Sequence, residues 1–312
     1  MARFFYNLAL LLLLPYVGLH LLLRSRRQPE YLRHVGERFG GYDIDPGQAL
    51  IWLHAVSVGE TRAAQPLVNA LKARYPGHRI LLTHMTPTGR QASVELFGDG
   101  VLRAYLPYDY PFAVRRFLAH FRPAVGVIME TELWPNLVQA CKAQGIPLLL
   151  ANARLSEKSA RRYARFPNLT RRALRDLAGI AAQTEQDAAR LAALGAPEVA
   201  VLGNVKFDIL PPPEQLARGE ELRRRIGLRP VLLAASTREG EEALLFDALA
   251  KRPPGEALLV VVPRHPQRFD EVAALAVKAG FVVQRRSEDA QIAPQTQVLL
   301  GDSMGEMFAY YA

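Results

Sequence analysis

The chain has 312 residues, of which 50% are hydrophobic and 22% are charged. This composition excludes global disorder and leaves room for two domains of ordinary size. The net charge of +9 favours anionic partners such as phosphorylated lipids, nucleotides or nucleic acids, without choosing among them. Cys141 is the only cysteine, which excludes an intrachain disulfide and a thiolate metal cluster.

The first element is an apolar stretch from Phe4 to Leu23, 20 residues without a formal charge. A helix of that length can cross a bilayer core of roughly 30 Å. Three arginines follow it directly, Arg24, Arg26 and Arg27. The positive-inside rule therefore predicts an uncleaved anchor at residues 1–24 of an inner-membrane protein whose remainder is cytoplasmic. A cleaved signal peptide is the alternative, although no small-residue cleavage site follows. Pro15 and His20 leave open a helix that lies along the membrane surface.

Past the anchor, short apolar runs alternate with segments of helical spacing. Continuous runs of Val, Leu, Ile and Ala are typical of strands covered on both faces. Strands that alternate with helices predict right-handed βαβ units and a doubly wound parallel sheet. Eleven strands are predicted, at Ala49–Ala55, Arg79–Thr83, Val101–Leu106, Ala124–Met129, Pro147–Ala151, Gly179–Ala182, Val199–Leu202, Val231–Ala234, Ala257–Val262, Phe281–Gln284 and Gln297–Leu300.

The number of strands also predicts two domains, because eleven strands are more than a single open sheet usually contains. The run Pro211-Pro212-Pro213 is the natural boundary. We predict an α/β fold with two Rossmann-like domains facing a cleft, at residues 25–208 and 209–312. In such sheets a ligand lies beyond the carboxyl ends of the strands, so the residues just after each strand are the candidates for chemistry.

Glu60 follows the first strand, in the segment that runs from Ser57 through Gly59 into a helix. One interpretation is a general base that removes a proton from an acceptor hydroxyl. The other is a glutamate that complements the helix dipole, and spacing alone favours it. The dipole would lower the pKa of this carboxyl, so a base would need burial or a nearby carboxylate to offset that effect.

Two more carboxylates, Glu130 and Glu132, end the fourth strand just ahead of a helix that begins near Pro135. Alternation along a strand places them on one face, where each can raise the other's pKa. Glu132 can equally be a charge at the helix N-terminus. The sequence leaves these two interpretations even.

Other strand ends carry candidates with an ordinary structural alternative. Thr88 can bind a substrate hydroxyl or carboxylate, or belong to a helix cap. Lys206 can neutralise a leaving phosphate, or be a surface lysine. Ser236 and Thr237 precede a helix whose N-terminus could hold an anion. Arg264, after the most apolar strand of the second domain, suits a phosphate.

The turn at Gly301–Met307 repeats the strand–turn–helix pattern, where backbone N–H groups could meet a ribose or phosphate. Neither a GxGxxG fingerprint nor a GxxxxGK[ST] loop occurs in the sequence. Asp43-Ile44-Asp45 lies in a linker and is weak support for a metal site. We therefore expect no metal and no cofactor.

A basic region between Lys158 and Arg175 includes Tyr163 and Phe166 among its arginines. It can lie against lipid headgroups or bind an acceptor's phosphates. RNA binding and a solvated helix face are the alternatives.

The strand-end motifs together resemble the Kdo (3-deoxy-manno-octulosonic acid) transferases of lipid A and lipopolysaccharide biosynthesis, in order from the anchor to the last residue. The motifs are His54-Ala-Val-Ser57-Val-Gly59-Glu60, Met85-Thr-Pro-Thr88-Gly89, Glu130-Thr-Glu132-Leu-Trp134-Pro135, Gly203-Asn204-Val-Lys206-Phe-Asp208, Ala235-Ser236-Thr237, Val262-Pro263-Arg264-His265-Pro266 and Gly301-Asp302-Ser303-Met304-Gly305-Glu306. The resemblance implies a B-type glycosyltransferase that moves Kdo, with inversion, from CMP-Kdo to the bisphosphorylated lipid A precursor (lipid IVA). It also implies that residues 25–208 bind the acceptor and residues 209–312 bind CMP, with the membrane surface and not nucleic acid as partner.

Carried over residue by residue, the resemblance makes Glu60 the proton acceptor, with Glu130 and Lys206 stabilising the transition state. It assigns the CMP contacts to Pro263, Arg264, Met304, Gly305 and Glu306. Ser57, Thr88, Ser236 and Thr237 remain possible substrate contacts. A single-phosphate sugar nucleotide has no diphosphate to chelate, in agreement with the expected absence of a metal.

Two departures from the family pattern stand out. Arg238 stands where the family usually has histidine. Family members also continue past the position of Ala312 through a further CMP loop, so the donor domain is expected to be truncated. The alternatives are another transferase of this architecture that uses a nucleotide diphosphate sugar, and an inactive membrane-tethered fragment that acts as a nucleotide-binding or scaffold protein.

Overall fold

A computed structural model describes residues 1–26, 28–47, 49–208, 211–251, 255–288 and 290–312. The chain divides into two compact units, Met1–Ile209 and Leu210–Ala312. Arg27 of the predicted charge cluster and Ile209, the first residue of the predicted second domain, lie outside the described residues.

The first helix, α1 (Ala2–Ser25), is long and apolar enough to cross a membrane by length and composition. Pro15 lies inside it. Its leucines are largely exposed, including Leu12 at 74%. Such a helix gains little from packing in water, which fits a surface that meets lipid.

Parallel strands build the first unit. In its described part, seven strands form one sheet in the order β3-β2-β1-β4-β5-β6-β7, each parallel to its neighbours. The strands are β1 (Leu50–His54), β2 (Arg79–His84), β3 (Leu102–Tyr105), β4 (Val125–Met129), β5 (Leu148–Ala153), β6 (Gly179–Ala182) and β7 (Ala200–Val201). The helices between and after them are α2 (Val58–Ala63), α3 (Gln65–Arg74), α4 (Pro87–Phe97), α5 (Pro111–Phe121), α6 (Pro135–Ala143), α7 (Glu157–Ala164), α8 (Pro167–Asp176) and α9 (Glu185–Ala193).

Proline starts α4, α5, α6 and α8, where its missing N–H and fixed φ cost nothing. The core beneath the sheet centres on Trp52, which is fully buried. Its indole N–H donates to Thr83 Oγ1 at 2.8 Å, and its ring lies 5.0 Å from that of Phe117. A Cβ at Gly126 would come within 2.6 Å of the same indole, so this strand position must be glycine.

The second unit has a smaller parallel sheet, in the order β10-β11-β9-β8 for its described residues. Its elements are α10 (Pro213–Ile226), β8 (Val231–Thr237), α11 (Glu241–Lys251), β9 (Leu258–Pro263), α12 (Phe269–Lys278), β10 (Val283–Arg285), β11 (Val298–Leu300) and α13 (Met307–Tyr311). β9 is buried along its whole length. Glu242 is buried against Arg268, with two hydrogen bonds of 2.8 and 3.0 Å.

The predicted α/β class with parallel sheets is confirmed, and each predicted strand coincides with an observed one to within three residues at either end. The largest difference is at β8, which extends to Thr237. There the register with β9 shifts between Ala235 and Thr237, and Ser236 has a φ of 57°. This irregularity lets the strand continue beyond its apolar run.

Candidate active site

The order of the first sheet brings the predicted site residues of this unit together. β1 has β2 on one side and β4 on the other, so the chain runs outward in both directions from this point. At such a switch point the loops after adjacent strands separate and leave a crevice. Glu60 follows β1 and Glu130 follows β4, which places both carboxylates at this crevice.

Glu60 is partly buried at the start of α2. The backbone N–H of Val56 donates to its Oε2 at 2.7 Å, and the Ser57 hydroxyl donates to its Oε1 at 3.0 Å. Ser57 is itself the N-cap of α2 and accepts from Glu60 N at 3.5 Å. Glu60 and Ser57 therefore form a capping box at the start of α2, and its bonds also hold the carboxylate at the crevice.

The environment of Glu60 raises the pKa of its carboxyl above the ordinary value. Burial is the main cause, and the negative charge of Glu130 adds to it. The hydrogen bonds from Val56 and Ser57 and the charge of Lys206 act in the opposite direction. The offset that a base at a helix N-terminus requires is thus present, and a carboxylate with a raised pKa accepts a proton more readily.

Glu132 is the most perturbed carboxyl of this group. Burial, followed by the negative charge of Glu60, raises its pKa to about 7, while a hydrogen bond with Trp134 opposes the shift. Glu130, two residues earlier, has a φ of 57°, which is unusual for a residue with a side chain. The negative charge of Glu130 contributes to the raised pKa of both Glu60 and Glu132, after the larger effect of burial.

Lys206 lies in a 3₁₀ turn, Val205–Asp208, and its ammonium group is near enough to lower the pKa of Glu60. Asn152 at the end of β5 holds this turn by accepting from Val205 N at 3.1 Å. The Lys206 side chain itself is exposed. A cation is thus available beside the carboxylates, where it can approach a ligand.

Thr88 is exposed on the first turn of α4, and its hydroxyl donates to Thr86 Oγ1 at 3.3 Å. Thr86 is the residue that caps this helix, by accepting from Gly89 N at 3.1 Å. The Thr86 hydroxyl also donates to Val56 O at 3.1 Å, which joins the loop after β2 to the loop after β1. The loop therefore caps its helix through Thr86, and the exposed Thr88 hydroxyl bonds to that capping residue.

In the second unit, β9 lies between β8 and β11, so the residues that follow these three strands are neighbours. Ser236 and Thr237 end β8, and buried Pro263 ends β9. Arg264 N donates to Thr237 O at 2.9 Å, which ties the two strand ends together. The Arg264 side chain is exposed, and no carboxylate among the described residues pairs with it. Its guanidinium is thus available to an anion.

The turn after β11 is organised by Glu306. Its carboxylate accepts from Ser303 Oγ at 2.6 Å and forms ion pairs with Arg218 at 3.3 Å and Arg286 at 3.5 Å. Met304 is 64% exposed, and Gly305 has a φ of 77°, which favours glycine. Met304 and Gly305 are therefore presented to solvent, whereas the Glu306 carboxylate is engaged in structural bonds.

Comparison with known proteins gives this site its context. The family model for "3-Deoxy-D-manno-octulosonic-acid transferase (kdotransferase)" matches residues 33–209. A 3-deoxy-D-manno-octulosonic acid transferase of Bordetella pertussis is 44% identical over 327 residues, covering 100% of this chain and 76% of that protein. One from Haemophilus influenzae is 40% identical over 321 residues, covering 100% and 74%.

The chain belongs to the Kdo transferase family. It is therefore an enzyme, a glycosyltransferase, as the sequence motifs predicted. A crystallised glycosyltransferase from Rickettsia africae has the same overall fold, with a TM-score of 0.52, 14% identity and coverage of 85% of this chain and 71% of that chain.

Two residues near the site of this Kdo transferase have a clearer place in the structure than in the sequence. The sequence leaves Glu132 even between a carboxylate paired with Glu130 and a charge at a helix N-terminus, because its burial depends on the folded chain. Asn152 is not predicted as a site residue. Asn152 interrupts the apolar run of β5, and its φ of 54° marks a strained strand end. A polar residue inside a buried run was the available signal. Among the described residues, no three His, Cys, Asp or Glu side chains are grouped to hold a metal ion, and the expected lack of a cofactor stays a prediction.

Proposed function

We propose that this enzyme transfers Kdo from CMP-Kdo to a hydroxyl of the bisphosphorylated lipid A precursor, lipid IVA, with inversion at the anomeric carbon and with Glu60 as general base. The observation that carries the proposal is the raised pKa of Glu60 at the switch point, beside Glu130 and Lys206. The family membership supplies the sugar, and the resemblance of the strand-end motifs supplies the donor and acceptor.

The chemistry follows from the charges. The acceptor hydroxyl must lose its proton as its oxygen attacks the anomeric carbon, and Glu60 takes that proton. The bond from the anomeric carbon to the CMP phosphate oxygen breaks, and the electron pair leaves with the phosphate. Arg264 and the N–H groups around Gly305 would bind the phosphate. Lys206 and Glu130 would balance the charge that develops on the sugar and the leaving group.

The anchor is proposed to hold the enzyme on the cytoplasmic side of the inner membrane. Both halves of α1 contact the remainder of the first unit. Near its start, the Tyr6 hydroxyl donates to Asp109 Oδ2 at 2.9 Å, and near its end the Arg24 guanidinium lies 5.4 Å from the Tyr31 ring. These contacts support a helix that lies in the membrane surface, with its leucines toward the lipid.

Transfer assays with purified enzyme in detergent test the proposal. The wild type should transfer Kdo from CMP-Kdo to lipid IVA, and NMR of the product should show an inverted anomeric configuration. UDP- and ADP-linked sugars should give no product. Glu60→Gln should lower kcat by about 10²- to 10⁴-fold, the usual contribution of a general base. Equal transfer from a diphosphate donor, or full activity of Glu60→Gln, would contradict the proposal.

A further inference from the structure

A groove of about 640 Å³ runs between α1 and the loop and helices around α8. One wall is α1, with Phe5 and Ala9 facing the groove. The other wall includes Leu133, Tyr163 and Phe166. Its lining is predominantly apolar, and its volume is in the range of small-molecule sites.

The walls of the groove are fixed to one another by polar bonds. The Tyr6 hydroxyl donates to buried Asp109 at 2.9 Å, and the Asn136 amide donates to Asn7 Oδ1 at 2.7 Å. The Tyr110 hydroxyl donates to the carbonyl of Leu10 at 3.0 Å. These bonds join α1 to the loop before α5 and to α6. They fix the position of α1, and with it the width of the groove.

The two helices that contribute one wall of the groove, α7 and α8, are strongly basic. The stretch from Glu157 to Asp176, which forms α7 and α8, has seven Lys and Arg residues and two acidic ones. Arg165 lines the groove itself. Within the described parts of the chain, four of these arginines have no carboxylate within ion-pair distance, namely Arg162, Arg165, Arg171 and Arg175. A polyanionic headgroup would find unneutralised cations here.

Part of the groove lining lies close to Glu132. Leu133 and Pro135 of the lining come directly after Glu132. The Tyr163 hydroxyl donates to Thr131 O at 3.5 Å. Burial, followed by the negative charge of Glu132, raises the pKa of that phenol. A molecule whose apolar part fills the groove would therefore have its polar part near Glu132.

We propose that this groove binds an acyl chain of the acceptor lipid, while the acceptor's phosphates bind the arginines of α7 and α8. The inference rests on the proposed function, because it takes a phosphorylated, acylated sugar as the acceptor. One face of α1 meets the bilayer and another lines the groove, so a chain can pass from lipid to protein along the helix without crossing water.

Photo-crosslinking in detergent micelles tests the groove without requiring transfer. The probe is a bisphosphorylated glucosamine disaccharide that carries a diazirine on one acyl chain, and peptide mass spectrometry locates the label. We expect label on residues 163–173. Phosphatidylglycerol with the same diazirine chain should label these residues at least about tenfold less, since it lacks the second phosphate and the sugars. Equal labelling by the phospholipid, or label confined to other regions, would overturn the proposal.

Two groove-filling variants, Ala9→Trp from α1 and Asn168→Trp from α8, should each lower groove labelling about tenfold and raise the KM for lipid IVA by a similar factor. Leu12→Trp adds the same ring to an exposed position of α1 and should change neither value. The unfolding temperatures of the variants should equal that of the wild type, which shows that a loss of labelling or affinity does not come from misfolding. Groove labelling without any Kdo transfer would contradict the proposed function alone, whereas transfer with unaltered labelling and KM in both variants would contradict the groove alone.

Discussion

Ser57 and Glu60 cap each other at the start of α2: the serine hydroxyl donates to Glu60 Oε1 at 3.0 Å, and Glu60 N donates to Ser57 Oγ at 3.5 Å. The same carboxylate is thus both a helix cap and the candidate base. The two roles are compatible because the capping bonds fix the carboxylate position, while burial and Glu130 keep its pKa raised. They also make separate predictions for stability and for activity.

Ser57→Ala should separate the two roles. Loss of the cap should lower the free energy of unfolding by about 1 kcal/mol, measured by urea denaturation. Because the Ser57 hydroxyl lowers the pKa of Glu60, its removal should raise that pKa. A base works in its deprotonated form, so the acidic limb of the kcat/KM profile should move to higher pH. Ser159→Ala, in the exposed α7, serves as control and should leave the profile in place. An acidic limb at the same pH as in the wild type, or at lower pH, would show that Ser57 does not lower the pKa of Glu60.

Glu130→Gln should move the acidic limb in the other direction. Burial raises the pKa of Glu60, and the negative charge of Glu130 adds to that shift. Removing this charge leaves Glu60 easier to deprotonate, so the acidic limb of kcat/KM should lie at lower pH than in the wild type, even though loss of Glu130 lowers the plateau. The measurement is kcat/KM from pH 4 to 8, with the exposed Glu157→Gln as control. An acidic limb at the same pH in the wild type and in Glu130→Gln would mean that the charge of Glu130 does not act on Glu60.

Gly126→Ala should destabilise the first unit without touching the site. Its new methyl group would lie 2.6 Å from the Trp52 ring and 2.7 Å from Leu148, and both side chains are buried. Overpacking of this kind costs about 1 to 3 kcal/mol of unfolding free energy. Gly77→Ala, which meets nothing within 4 Å, should change stability by about 1 kcal/mol at most. If both variants unfold at the same urea concentration, the packing argument for β4 is wrong.

Much of this fold could be predicted because its signals are local. Continuous apolar runs such as Leu258–Val262 mark buried parallel strands by composition alone, and prolines mark the starts of five described helices, α4, α5, α6, α8 and α10. The position of Glu60 beyond the carboxyl end of a strand follows from the alternation of strands and helices, whereas the switch point beside it depends on the strand order, which the sequence does not give.

The remainder depends on contacts between distant parts of the chain. The pKa of Glu132 depends on burial and on Glu60, 72 residues earlier by number, and no spacing rule contains that information. The docking of α1 depends on Tyr6 and Asp109, which are 103 residues apart. Sequence patterns give the apolar face of α1 but not the polar bonds that orient it. Sequence patterns likewise do not show that Asn152 accepts a hydrogen bond from Val205 N in the turn that contains Lys206.

Asp109 provides a test of that docking through pH. Burial raises the pKa of its carboxyl from 3.8 to about 6, despite hydrogen bonds from the backbone of Asn136 and Leu137 and from Tyr6. The folded protein therefore binds this proton more tightly than the unfolded chain. Its contribution to stability is full below pH 4 and is lost as pH rises to about 6, by up to about 3 kcal/mol.

Asp109→Asn does not titrate, and it presents an amide group to at least one N–H or O–H donor, so it should be less stable than the wild type. Urea denaturation at several pH values should show this deficit to be larger at pH 4.5 than at pH 7, because only the wild type loses stability over that range. Asp43→Asn, at an exposed position, should show no such trend. A deficit that grows toward pH 7 would mean that the fold stabilises the ionised form of Asp109. The hydrogen bond that holds α1 would then be made to a favoured anion, and not to a carboxyl whose ionisation is disfavoured by burial.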